Sequence, residues 1–580
     1  MLFEVKDRFY LNGEPFQVIS GAVHYFRIVP EYWRDRLEKL KNMGCNTVET
    51  YVPWNFHEQK ENEYSFTGRQ DLCRFVSLSQ ELGLYMIVRP SPYICSEWEF
   101  GGLPAWLLRD RNMRVRCSYP PFLEKVKRYY HHLLPLLRDH QIDRGGNILM
   151  MQIENEYGYF GNDQDYLRFL RDTMRAEGIT VPLVTSDGPW KDEQFLSGCV
   201  EGALPTGNFG SGAEEHFRHM RSMGVKGPMM CMEFWNGWFD AWGEKEHHRT
   251  DANAAAKELD EVLKEGSVSI YMLEGGTNFG FTAGRDRGKP TADVTSYDYD
   301  APLTEDGQLT NKYRAFQDVI RKYHRFEEQK LTTGIKRIAY GKVPLTGRVS
   351  LFDLLPGLAE PIVSPWPLSM EEAGQNTGYI LYRTRLNGEK ICSIQMEGAA
   401  DRVQIFLDGK PLLTADGDQL EKVFRLEEPA EGQVLDLLIE NIGRVNFGTG
   451  LDRQRKGLTE GLQVNERRVY GFEIFPLPLD PEQVRRIRFD GVLNENTPAF
   501  CLFEFDAEET GDTFLDVDGF AKGCAFLNGF NLGRYWEAGP QRRLYIPGPL
   551  LKRGRNELIL LETEGKYTDT VTLTDKPDLG

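Results

Sequence analysis

Through the first 325 residues, short apolar runs alternate with amphipathic stretches, the rhythm of repeated βα units. Residues 16–20 predict the first strand. A helix is predicted from Pro30, whose missing N–H costs nothing in a first turn, with Trp33, Leu37 and Leu40 on one face and Gly44 as its stop. Residues 47–52 predict the second strand, and a helix carrying Leu72, Phe75, Val76 and Leu82, closed by Gly83, leads to a third at 84–88. A longer insertion and a helix from about Pro121 precede the fourth strand at 148–153. The remaining strands are predicted at 181–185, 203–206, 229–232 and 268–273, with helices at 166–177 and from about Asp251, the latter capped by Thr250. Eight repeats in residues 1–325 imply a closed (β/α)8 TIM barrel. An open doubly wound sheet would carry a phosphate loop, and no GxGxxG follows any of these strands.

Beyond residue 325 the helical rhythm stops. Segments such as TRLNGEKIC, IFLDGKPLL and FLNGFNLGRYW alternate apolar and polar positions around Asn-Gly and Asp-Gly turns, the signature of antiparallel hairpins. RVQIFLDG (402–409) and GCAFLNG (523–529) read as one strand-turn unit used twice, so two all-β sandwiches are predicted: a connecting β segment over 326–385, a first sandwich over 386–490 and a second over 491–580. The Pro-rich stretch 361–370 reads as a connection across one of them.

Three barrel and sandwich units suit 580 residues. A formal charge of -18 argues against a phosphate-tracking surface and therefore against nucleic acid, leaving neutral ligands. The nine cysteines occur singly, with no CxxC, so neither a zinc knuckle nor a disulfide scaffold is expected. The start MLFEVKDRFYLNGEPF has acids and a turn where a secretory leader needs a basic start and an apolar core, and no stretch approaches about twenty uncharged apolar residues. The expectation is a cytoplasmic protein with no membrane partner.

Two acidic segments carry the chemistry. MQIENEYG ends an apolar strand at Glu156, and MMCMEFWNGWF does the same at Glu233. On a parallel barrel the active site lies at the C-terminal strand ends, where Tyr51, Arg89, Glu97, Asn155, Glu156, Glu233 and Tyr271 all fall. A pair of carboxyl groups breaks a glycosidic bond, one protonating the leaving oxygen while the other attacks the anomeric carbon or activates water. An ionised partner raises the pKa of the other and divides the labour. Trp235 and Trp238 offer flat apolar faces for a pyranose, with Trp54, Trp98 and Trp106 as further wall candidates. His131–His132 and His247–His248 lack metal-binding spacing or a grouped acid set, so neither a metal nor another cofactor is expected.

The blocks GAVHYFRIVPEYWRDRL, TYVPWNFHE, RPSPYICSEWEFGGLPAWL, QIENEYG, EFWNGWFDAWG, YMLEGGTNFGF and TSYDYDAPLTEDG resemble, in order, those of the glycoside hydrolase family 35 β-galactosidases, especially small intracellular bacterial members. The resemblance implies a retaining exo-β-galactosidase with Glu156 as acid/base and Glu233 as nucleophile. It also places sugar contacts at Tyr51, Cys95, Ser96, Glu97, Asn155, Tyr271 and Tyr297. Ser96 stands where Ala is common in the family, and Trp235 where some members have Tyr. The tail resembles jelly-roll domains, the last of them galactose-binding-like. Relatives of this kind imply a preference for β-1,3-linked galactose on N-acetylhexosamine and a homodimer. A broad β-galactosidase acting on lactose and β-1,4 links, another retaining glycosidase and a noncatalytic carbohydrate-binding protein stay open as alternatives.

Overall fold

Strands covered on both faces are built from near-continuous apolar residues, and eight such strands close a parallel barrel in the computed structural model, which describes residues 1–286, 291–388, 390–490 and 496–580. The barrel strands are β1 (Ile19–Val23), β2 (Thr47–Tyr51), β3 (Tyr85–Arg89), β4 (Ile148–Gln152), β5 (Leu183–Asp187), β6 (Ala203–Asn208), β7 (Met230–Trp235) and β8 (Ser267–Glu274). Each pairs in parallel with the next, and β8 closes against β1. Strand β1 starts three residues later than its apolar run predicts. The Gln17 amide instead holds the carbonyls of Leu263 and Gly266, which keeps the run's beginning at the barrel floor.

The predicted helix stops and starts have identifiable physics. Helix Trp33–Met43 follows a single 3-10 turn at Pro30–Tyr32 and ends where Gly44 takes φ 104°, a left-handed conformation that glycine tolerates. A Cβ at Gly44 would also lie 2.3 Å from the Phe326 ring. The helix Ala252–Glu265 is capped by Asp251, whose Oδ1 accepts from the Ala254 N–H at 2.8 Å. Thr250 is therefore not the cap; its N–H donates to Asp300 Oδ2.

The tail forms two β-sandwich units, in agreement with its turn pattern. In the first, a six-stranded and a four-stranded sheet enclose Ile380, Ile394, Val403, Leu437, Leu462 and Ile474. In the second, an eight-stranded sheet wraps a core of Val343, Phe503, Leu515, Leu544 and Leu560. Strand Gly341–Ser350, early in the tail, is a central member of that last sheet, between Ala499–Ala507 and Thr570–Thr574. Both repeated hairpins use the same turn. Asp408–Gly409 (φ 48° and 75°) and Asn528–Gly529 (φ 52° and 84°) each put two left-handed residues at the tip, the type I′ geometry that matches strand twist. Among the described residues no helix is long and apolar enough to cross a membrane, and all nine cysteines are unpaired.

The first sandwich is keyed to the barrel rim. Val445–Phe447 pairs in parallel with Arg285–Asp286 from the loop after β8, and fully buried Arg444 bridges Glu99 of the barrel and Glu371. Removing one member of a buried charge group leaves the others unpaired, at about 3–5 kcal/mol. Arg444→Met is expected to cost that much, read as a lowered urea midpoint; an unchanged midpoint would show that the bridge does not hold the two units together.

Candidate active site

The C-terminal ends of the barrel strands surround a cavity of about 270 Å3. Its floor and near wall are Cys95, Ser96, Glu97, Asn155, Glu156, Glu233 and Tyr271; its mouth is aromatic.

Glu233 is gripped from three sides. Arg89, the last residue of β3, places Nη2 2.6 Å from Glu233 Oε1. The hydroxyl of Tyr51, the last residue of β2, donates to the same oxygen at 2.6 Å, and the Trp235 indole N–H donates to Oε2 at 3.0 Å. Charge-assisted bonds of this kind are short and fix the carboxylate's orientation. Arg89 also lies 3.9 Å from the Tyr51 ring centroid and donates to Asn155 Oδ1 at 2.6 Å. Gln152 Nε2 donates to that oxygen as well, at 3.1 Å, so the Asn155 acceptor is occupied and its amide N–H groups face the cavity.

Glu156 is held differently. It has one side-chain partner, Asn208 Nδ2 at 3.0 Å, and Asn208 is turned toward it by the Ser186 hydroxyl. Burial first, then the negative charge of Glu233, pushes the Glu156 carboxyl up to about 8, while the Asn208 bond opposes the shift. At neutral pH Glu156 therefore holds its proton while facing an arginine-paired Glu233. The backbone that presents it is strained, with φ 55° at Glu154 and 45° at Glu156. Arg116 pins the segment through a bidentate pair to Glu154 (2.8 Å each) and a bond to the Asn155 carbonyl.

A third carboxyl, Glu97, closes the opposite corner. Burial raises it to about 7, against the pull of its bond from the Tyr297 hydroxyl and the charge of Arg27. Tyr271 and Tyr297 hydroxyls lie 3.2 Å apart, and Arg27 stacks 3.9 Å from the Tyr297 ring while donating to Ser96 Oγ at 3.0 Å. Cys95, Ser96 and Glu97 all take left-handed backbone (φ 57°, 59° and 46°). Asn446, from the first sandwich, donates to Cys95 Sγ at 3.5 Å.

Of the residues singled out in the sequence, Cys95, Ser96, Glu97, Asn155, Glu156, Glu233, Trp235, Trp238 and Tyr271 line the cavity. Tyr51 and Tyr297 stand directly behind it, orienting Glu233 and Glu97. Trp54, Trp98 and Trp106 do not form its wall. Trp54 packs against Trp106 and Tyr129, Trp98 donates to Asn55 and Trp106 to the Glu58 carbonyl, which spends their faces on the core. The structure adds Tyr159, Trp190, Phe239, Asp286, Tyr299 and Phe447 to the lining and Asn208 behind it. Trp190 stacks on Trp235 with centroids 5.6 Å apart, and Phe447 reaches the mouth from the first sandwich. The histidine pairs have separate surroundings. His132 stacks on Tyr64, whereas His248 is grouped with Asp240 and Glu244 within 4.8 Å, an acid set the linear spacing did not reveal. In that group Asp240 accepts from both His247 and His248.

Comparison with known proteins gives one consistent family. The model of glycosyl hydrolases family 35 matches residues 8–323, that of the first all-beta domain of beta-galactosidase residues 367–478, and that of the beta-galactosidase galactose-binding domain residues 498–556. Human beta-galactosidase-1-like protein 2 is 39% identical over 589 residues, covering 99% of this chain and 91% of the relative. Dog beta-galactosidase is 38% identical over 617 residues (99% and 91%), and human beta-galactosidase 38% over 627 (100% and 91%). The chain belongs to glycosyl hydrolases family 35. These relatives are mammalian, and the bacterial subgroup expected from the sequence blocks is not represented among them.

Because the Asn208 amide stabilises the charged form of Glu156, Asn208→Ala is expected to raise the proton affinity of Glu156 further above about 8. Titration of the carboxyl infrared band would read the shift; an unmoved or lowered transition would remove Asn208 from the account.

Proposed function

We propose that this member of glycosyl hydrolases family 35 is a retaining exo-β-galactosidase in which Glu233 is the nucleophile and Glu156 the acid/base. The observation that carries the reading is the division between the two carboxyls on one cavity. Glu233 is held by a guanidinium, a phenol and an indole, and Glu156 is kept protonated by burial and by Glu233 itself. Glu233 attacks the anomeric carbon as Glu156 protonates the departing oxygen; Glu156 then takes a proton from water, which releases the sugar with two inversions and net retention. The Asn155 amide and Glu97 face the cavity as hydroxyl-binding groups, and an unpaired buried group of either kind costs about 1–3 kcal/mol or more.

A cavity of about 270 Å3, near the lower end of the ~300–1,000 Å3 of ligand pockets, is in keeping with a small sugar. The proposed leaving-group preference is N-acetylhexosamine in β-1,3 linkage. That preference rests on the family resemblance; the aromatic mouth, where Trp190 and Trp238 are 44% and 40% exposed beside Trp235, Tyr159 and Phe447, offers apolar faces to a second sugar of any linkage.

The acid/base role sets a pH dependence. Glu156 must be protonated to act first, so the alkaline limb of kcat/KM is expected to fall above about pH 8. Glu156→Gln should slow disaccharide hydrolysis by about 10²–10⁴, with a much smaller loss on aryl β-galactosides whose phenolate leaves without a proton. Equal losses on both substrates would reassign the acid. Rates on galactosyl-β-1,3-N-acetylglucosamine, its β-1,4 isomer and lactose, with Glu233→Gln as control, test the linkage. Comparable rates on all three would replace the β-1,3 reading with a broad β-galactosidase, and undiminished turnover by Glu233→Gln would overturn the mechanism.

A further inference from the structure

Beneath Glu233 the barrel lumen holds a buried carboxyl where such barrels usually pack branched aliphatic residues in layers. Residues paired in register on neighbouring parallel strands share a face. Tyr51 and Arg89 are register partners and both point inward, since both reach Glu233. Glu49, two residues before Tyr51 on β2, therefore also points inward, one layer deeper. Its register partner on β1 is Ala22, and Ser20, two residues earlier, pairs with Ser269 of β8. On its other side Glu49 pairs with Ile87 of β3, and Ser20 and Ser269 lie one layer deeper beside Thr47, so the carboxyl sits between aliphatic neighbours and a hydroxyl-bearing layer.

That carboxyl is unusual. Glu49 is fully buried, and neither of its oxygens has a hydrogen-bond partner among the described residues. Arg89 Nε and Nη1, Ser20 Oγ, Ser269 Oγ and Gln152 Oε1 are likewise buried without one. Buried polar groups are rarely left so, and a cluster of them under a reacting group calls for a reason. The nearest charge is Arg89, with Nη1 3.9 Å from Glu49 Oε1 and Nη2 2.6 Å from Glu233 Oε1. One guanidinium thus faces two carboxyls, and at equal dielectric its attraction for the nearer is about 1.5 times that for the farther. A full charge on both would leave one buried anion unpaired, which is the costlier arrangement.

We propose that Glu49 is a positioning residue: a neutral carboxylic acid under Arg89 that fixes the guanidinium against Glu233 without competing for its charge. This rests on Glu233 being the nucleophile. The charged or titratable groups that face Glu49 are Arg89 from β3, Glu233 from β7 and Tyr51 on its own strand; the imidazole of His24, beyond the end of β1, is kept neutral by burial and by Arg27 and Arg89. Burial pushes Glu49 up to about 8, Arg89 pulls the other way and Glu233 adds to the rise. The neutral form therefore prevails at neutral pH, and it has an O–H that a carboxylate lacks, able to donate within the layer.

The test compares Glu49→Gln, an isostere of the neutral acid, with Glu49→Leu, which keeps the bulk and removes the polar group. The readouts are kcat, KM and the acid limb of kcat/KM. Glu49→Gln should keep kcat within about twofold and leave the acid limb in place. Glu49→Leu should lower kcat about tenfold or more with KM nearly unchanged, and move the acid limb to higher pH as Arg89 loses its seat. An acid limb displaced by a unit or more to lower pH in Glu49→Gln would show that Glu49 is normally an anion and would overturn the proposal, as would full kcat in Glu49→Leu. Should Glu49→Leu fail to fold, the Glu49→Gln profile still decides. Turnover retained by Glu233→Gln would instead sink the nucleophile assignment, an outcome these variants do not mimic.

Discussion

One fully buried guanidinium organises the site. Arg89 cannot be solvated where it sits at the end of β3, and a bare buried cation is prohibitively costly, so the chain must supply counter-charge and acceptors around it. It supplies the Glu233 carboxylate, the Asn155 carbonyl oxygen and the face of Tyr51 from three other strands or strand ends. Each of these is thereby oriented. Asn155 has its acceptor consumed and its donors left for a ligand; Tyr51 spends its proton on Glu233. A buried ion pair adds little net stability, but here it fixes geometry at the point where chemistry needs it.

From this follows the inequality between the two carboxyls. The pair would be equivalent if both met the same surroundings, yet Glu233 has three donors and Glu156 one. The charge stabilised on the first raises the proton affinity of the second, so the division of roles is a property of the pair rather than of either residue. Presenting Glu156 across the cavity requires left-handed backbone at Glu154 and Glu156, at about 1–3 kcal/mol each. The Arg116–Glu154 pair over-determines that turn and holds it against relaxation.

How far the sequence was legible depended on whether the information was local. Barrel strands could be read because β-runs such as 148–153 are apolar apart from Gln152, and the rim residues could be read because a parallel barrel gathers all strand ends at one face. The repeated hairpins were announced by Asp408–Gly409 and Asn528–Gly529, since φ above zero at both tip residues selects few dipeptides. What failed was decided by reach. Thr250 and Asp251 are both good caps in sequence, and only the fold shows which side chain meets the Ala254 N–H. Trp54, Trp98 and Trp106 look like Trp235 as letters, but their partners arrive from elsewhere in the barrel. Asn208 ends an unremarkable strand, and nothing local says that its amide meets Glu156.

Phe447 is the extreme case, because it lies in the segment matched by the first all-beta domain, yet packs against the barrel core and lines the cavity of the carboxyls. Its place depends on the pairing of Val445–Phe447 with Arg285–Asp286, on Asn446 reaching Cys95 and on Arg444 joining Glu99 to Glu371. Four consecutive residues, Arg444 to Phe447, thus touch the rim in three chemically different ways. A tail attached only by a linker would need no buried arginine at the contact, and one present only to bind a second ligand would have no reason to reach the first cavity. The first sandwich is therefore part of the cavity wall. The barrel supplies the two carboxyls and most of the aromatic mouth, and Phe447 completes that mouth from the segment that joins the sandwich to the rim.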